Sequence, residues 1–292
     1  MSETNWVVEP LKQAALATLY QLVVVLGVFF VAGLLLYLLA RFTRNTFARA
    51  GLSKFEVVIT GWLGTSVHEL GHTFFCLMFL HRIESIKLFR PDSADGSLGY
   101  VHHSYNKRNL YQRIGNFFIG VGPVIFGAMA LFAVMYFFLP NYEVVRNIVF
   151  SPGLQEGNLL KLGEQWQIIA GGSLEIIRLL SSPDNFEYAS FWIFLYLSLA
   201  ISSHMELSPA DLKSMFSGLG ILALFLFAVN IIALIFGYGI SENVLRINTH
   251  TGILFGLFLY AIIISLINFL VSYFVLSLYT FIRFRRLVNP FF

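Results

Sequence analysis

Five consecutive residues, His68-Glu69-Leu70-Gly71-His72, carry the strongest chemical signal in the chain. Histidines at i and i+4 share one face of a helix, so their two imidazoles, one turn apart, can reach a single Zn²⁺ at about 2.0–2.1 Å. The glutamate beside the first histidine can then turn toward the metal-bound water as general base, which is the spacing that zinc-dependent hydrolysis demands. The plainer reading makes the three side chains polar groups satisfied by neighbouring helices. Against it, ionisable groups at mid-bilayer cost about 2.5–3.5 kcal/mol each on insertion scales, and a bound metal would be the compensating partner.

A catalytic zinc takes three protein ligands and a water, so one ligand must come from elsewhere. The extended motif that supplies a third histidine from the same helix is absent, because Phe75 and Met78 stand where it needs Gly and His. Glu84 is too close in sequence and lies beyond the span. Two sources remain: the pair His102 and His103, and the stretch from Ser203 to Asp211. The second is better placed. Pro209 removes a backbone donor and bends or breaks a helix there, which lets a carboxylate turn inward. Asp211 leads. His204 shares the face of Asp211 if the helix continues through Pro209, which makes it a reserve ligand or a stabiliser of the oxyanion. Glu206 ranks third. His102 and His103 read as hairpin surface residues, His81 as a helix-end interface residue and His250 as an external loop residue.

The elements that must position these residues are membrane spans. The 292 residues are 57% hydrophobic and 12% charged, with a mean hydropathy of +0.74, far from soluble usage of roughly 25% charged residues. That composition excludes a soluble enzyme, a disordered chain and a coiled coil, and the scattered net charge of +3 gives no footprint for nucleic acid. The lone Cys76 excludes an intrachain disulfide and paired-cysteine zinc motifs, so a metal site is expected to use histidine and carboxylate. Apolar stretches of about 20 residues suggest six spans: Ala15 to Ala40, Phe55 to Leu80, Ile114 to Leu139, Tyr188 to Leu207, Met215 to Tyr238 and Gly252 to Phe281. The first is too long for a cleaved signal peptide and reads as retained.

Lys and Arg in short flanks orient such a chain. Arg82, Lys87, Arg90, Lys107, Arg108 and Arg113 between the second and third spans point to the cytoplasm, and Arg283, Arg285 and Arg286 of the tail agree. Arg41, Arg44, Arg49 and Lys54 then face outward, against the rule. The connection from Pro140 to Glu187 suits the outside face, with a surface-lying helix around Leu159 to Leu180. Between the second and third spans, Glu84 to Arg90 and Ser97 to His102 read as short strands around an Asp/Gly turn. That hairpin either pairs with an extended substrate by strand addition or simply covers the helix ends.

Three features resemble the site-2 proteases, the intramembrane zinc metalloproteases. They are the His68-to-His72 motif inside a span, Gly120-Val121-Gly122-Pro123 with Phe126 where that family has Asn, and Ser208-Pro209-Ala210-Asp211, with Leu212 in place of the family's Gly. The resemblance implies an all-α polytopic membrane protein with a three-helix catalytic core. Residues 1–54 would carry the first span, 55–214 the core and 215–292 two additional spans. It also implies His68, His72 and Asp211 as zinc ligands, Glu69 as base, and a membrane-embedded protein as substrate, cleaved toward the cytoplasmic half. The competing classes are a divalent-metal transporter, a non-catalytic adaptor that kept the motif, and a second type of membrane metalloprotease that uses a later Glu ligand.

Overall fold

A computed structural model describes residues 5–92, 97–151, 162–237 and 240–290. Helix α1 runs Asn5–Arg49. A short α2, Ser53–Glu56, continues through a π-turn, Val57–Gly61, into α3, Trp62–Met78. Strands β1, Arg82–Lys87, and β2, Tyr100–Ser104, form an antiparallel hairpin. Then follow α4, Leu110–Phe138, α5, Tyr142–Val149, α6, Leu162–Leu180, and a 3₁₀ turn, Pro183–Glu187. Helices α7, Ala189–Ser202, α8, Pro209–Ile235, and α9, Ile240–Phe284, complete the chain. The fold is mostly helical, and α1, α4, α8 and α9 each contain a stretch long and apolar enough to cross a membrane.

Lipid is as apolar as leucine, so these helices gain little by hydrophobic burial and must associate through close packing and interhelical hydrogen bonds. Small residues make the close approaches. Gly71 and Gly122 bring α3 and α4 together, and a β-carbon on Gly71 would stand 2.8 Å from the Gly122 carbonyl oxygen. Gly120 and Gly218 do the same for α4 and α8, whereas Gly220, on the same helix, has nothing within 4 Å. Buried amides act as interhelical links: Asn230 of α8 bonds Thr18 and Gln21 of α1, and Asn268 of α9 donates to the Leu199 carbonyl of α7 at 3.1 Å.

Of the six spans expected, four correspond to helices long and apolar enough to cross a membrane among the described residues, and the contacts between helices fix their relative directions. Along α3, Ile59 and Trp62 meet Tyr196, and Gly64 meets Ala200 and His204, so α7 runs parallel to α3. Helix α4 runs antiparallel to α3, since Gly122 meets Gly71 while Gly115 meets Phe79. Helix α8 runs antiparallel to α4, since Gly120 meets Asp211 and Met215 while Gly218 meets Phe117 and Arg113. Helices α7 and α8 therefore point the same way on either side of a break. The physical cause is local: Ser208 is extended, with φ −72° and ψ 162°, and Pro209 at the first helical position starts a new helix rather than continuing the old one.

The basic tail lies at the end of the bundle where α1 finishes, since Asn45 Nδ2 donates to the Pro290 carbonyl at 3.3 Å, whereas Arg82, Lys107, Arg108 and Arg113 lie at the α3–α4 junction, at the other end of α3. Arg41 and Arg44 belong to α1 rather than to a loop. The hairpin forms as anticipated, with the second strand starting later than read, a bulge between Ile83 and Ser85, and its turn residues 93–96 outside the described region. The helix anticipated in the long connection is α6, described from Leu162 onward, and α5 was not anticipated. His250 lies within α9 rather than in a loop.

Candidate metal centre

In α3 the two histidines present one face, with ring centroids 5.1 Å apart. That face looks at the start of α8. Asp211 occupies the third position of α8, where it completes a capping box: Ser208 Oγ accepts from the Asp211 amide at 3.2 Å, and the Ser208 amide donates to Asp211 Oδ2 at 2.7 Å. The cap fixes the carboxylate, and the close approach of α4 to both α3 and α8 sets its distance from the imidazoles. Asp211 Oδ1 lies 3.0 Å from His72 Nε2, and Oδ2 lies 3.6 Å from His68 Nε2. The three side chains are 14%, 12% and 7% exposed, and one donor atom from each lies within 4.8 Å of the others.

The outer nitrogens are oriented by backbone. His68 Nδ1 sits 3.0 Å from the His204 carbonyl oxygen and His72 Nδ1 sits 2.9 Å from the Ile119 carbonyl oxygen. Carbonyls only accept, so each Nδ1 carries a proton and each Nε2 points inward at the carboxylate. Two such nitrogens facing one carboxylate leave a place for a cation between them. The donor set, two imidazoles and a carboxylate with their outer nitrogens satisfied, fits Zn²⁺.

Glu69 is buried, 7% exposed, on the flank of the same helix. The chain after the hairpin turn folds back along α3 and passes over it: a β-carbon on Gly99 would stand 2.7 Å from Glu69 Cγ and 2.9 Å from Thr65 Cγ2. Beside Glu69 and His68 opens a cleft of about 570 Å³, walled by α1, α2, α3, the Ser97–Gly99 return and the break between α7 and α8. Arg44 and Glu206 form a bidentate ion pair across its wall, and Glu56 and Thr65 line it.

Of the residues singled out from sequence, His68, His72, Asp211 and Glu69 converge. His204 does not share a helical face with Asp211, because the helix stops before Pro209. Its ring instead packs on Gly64, with Nε2 4.0 Å from Glu56 Oε1, and it serves the centre through its carbonyl. Glu206 is held by Arg44, away from the histidines. Gly64 and Gly71 are sites of tight packing, and a polar opening beside His68 and Glu69 is the cleft between Arg44 and Glu56. Gly99 and Arg44 carried no signal in the sequence that tied them to the motif. No known family, curated protein or solved structure matches this chain.

Proposed function

We propose that this protein is an intramembrane zinc metallopeptidase of the site-2 type, with His68, His72 and Asp211 as ligands and Glu69 as general base. The observation that carries the reading is Asp211, more than a hundred residues from the motif, set within ligand distance of both histidines. The resemblance in three separate segments supports it. Bound there, zinc would supply Lewis acidity, acidifying a water and polarising a peptide carbonyl.

The remaining steps belong to the chain itself. Glu69, on the cleft side of the histidines, takes a proton from the attacking water and returns it to the leaving amine. Glycine at position 99 lets the return strand pass close over that carboxylate. Water would reach the site through the charged cleft, which Thr65, Glu56 and His204 line. The hairpin has two strands, and the outer edge of each offers amides and carbonyls to an extended peptide.

In this reading the cleft mouth faces the cytoplasm, supported by Arg41, Arg49, Lys54 and the tail at that end and opposed by Arg82, Lys107, Arg108 and Arg113 at the α3–α4 junction. In sealed right-side-out vesicles a membrane-impermeant maleimide should then fail to label a Ser53→Cys variant. The catalytic test uses a transmembrane peptide substrate in detergent or liposomes. Glu69→Gln is expected to keep zinc and lose about 10²–10⁴-fold in cleavage rate. A variant that still cuts at the wild-type rate overturns the mechanism.

A further inference from the structure

A second group of metal-binding atoms lies at the far end of α3, apart from the first. Cys76 Sγ and ring nitrogens of His81 and His103 lie within 4.8 Å of one another. We propose that these three residues form a second zinc centre, a structural one, that fastens the base of the hairpin to the end of α3.

The chain reverses sharply to bring them together. His81 N–H donates to the Cys76 carbonyl at 2.8 Å and Leu80 N–H donates to the Leu77 carbonyl at 3.2 Å, which is a Schellman turn. The left-handed position of that turn, usually glycine, is Leu80 at φ 57°. A leucine there costs about 1–2 kcal/mol, and such strain persists where the surroundings impose it. The turn folds His81 back beside Cys76, five residues earlier. The third residue arrives from β2, where His103 pairs with Ile83.

The donor atoms are arranged as ligands are. His81 Nε2 is 2.8 Å from the Gln112 carbonyl oxygen, so it holds the proton and Nδ1 presents its lone pair. That lone pair faces His103 Nδ1 at 3.0 Å, close to the spacing of two nitrogens on one tetrahedral ion with bonds of about 2.0–2.1 Å. Cys76 is fully buried and free of any disulfide, and His81 is 4% exposed beneath the stacked ring of Tyr105. A simple His–His hydrogen bond would account for two of the residues and leave the thiol's convergence on them unexplained. Two imidazoles and a thiolate match a borderline-soft ion such as Zn²⁺, with a fourth position left for water. As the sulfur–zinc bond forms, the thiol proton leaves to solvent.

The test uses the full chain in detergent, stripped with chelator and reloaded with Co²⁺, then with Zn²⁺. Thiolate-to-cobalt charge transfer absorbs in the near ultraviolet, and the first centre contains no sulfur. Wild type should show that band, and Asp211→Asn should keep it. Cys76→Ser should lose it together with one bound ion per chain by elemental mass spectrometry. His103→Gln, on the partly exposed strand, should lose the same ion without touching the buried core. Absence of the band from wild type, or an unchanged ion count in both Cys76→Ser and His103→Gln, overturns the proposal. Neither result depends on cleavage or on the first centre, so the two readings fail separately.

Discussion

The two clusters on α3 use similar donors in different surroundings. His68 and His72 meet a carboxylate from a distant helix, have a buried Glu69 on one flank and border a cleft of about 570 Å³. Cys76, His81 and His103 come from one turn and the adjoining strand, and Tyr105 stacks on His81. Chemistry needs a base and an opening, whereas a staple needs neither and gains from being closed. The difference teaches that ligand identity alone does not separate the two roles; the neighbouring groups do.

The largest effect that would sharpen this contrast is expected from Asp211→Asn. Asparagine can keep the helix cap but is a poor zinc ligand, so cleavage should fall by about 10³-fold or more, with one bound ion lost. Full activity in this variant, with zinc retained, would break the ligand set. Gly99→Val comes next. Its β-carbon would meet Glu69 within 3 Å, so the cleavage rate should drop about tenfold or more while the metal count stays at the wild-type value, as orientation effects on a general base imply. A loss of metal instead would mean that the return strand supports the ligands rather than the base.

A smaller effect is expected at the cleft wall. Arg44 and Glu206 are 36% and 20% exposed, so removing one partner should cost only about 1 kcal/mol in thermal unfolding after solvent screening. Arg44→Ala with Glu206→Ala should cost less than the two single changes added together. Additivity would show that the pair contributes no coupling.

The smallest effect concerns pH in the metal-free protein. Unfolded, His103 binds a proton near 6.5, while burial, and then the neighbouring His81, His72 and His102 against an opposing Glu84, hold the folded value at about 4. Between these values the unfolded chain binds more protons, so stability present at pH 7 is lost as pH falls through that window. His103→Gln should flatten the dependence, and an unchanged slope would place the sensitivity elsewhere.

The sequence by itself determined the helical, membrane-type composition, the hairpin and the i, i+4 histidine pair with its glutamate. All of these follow from local periodicity and from residue types that are costly in lipid. It also pointed to Asp211, because a proline followed by a carboxylate inside an apolar stretch is a local signal. It did not show that α7 and α8 run in the same direction. Hydropathy counts apolar length and is blind to direction, which the contacts of Gly64, Gly120 and Gly218 decide. Nor did it show His204 acting through its carbonyl, Gly99 lying over Glu69, or Arg44 paired with Glu206. Each joins residues far apart in the chain, and only the packing of helices fixes such distances. The Cys76 cluster was hidden for a related reason: a search for paired cysteines passes over a single thiol, and only the reversed turn at Leu80 and the register of β2 bring two imidazoles to it.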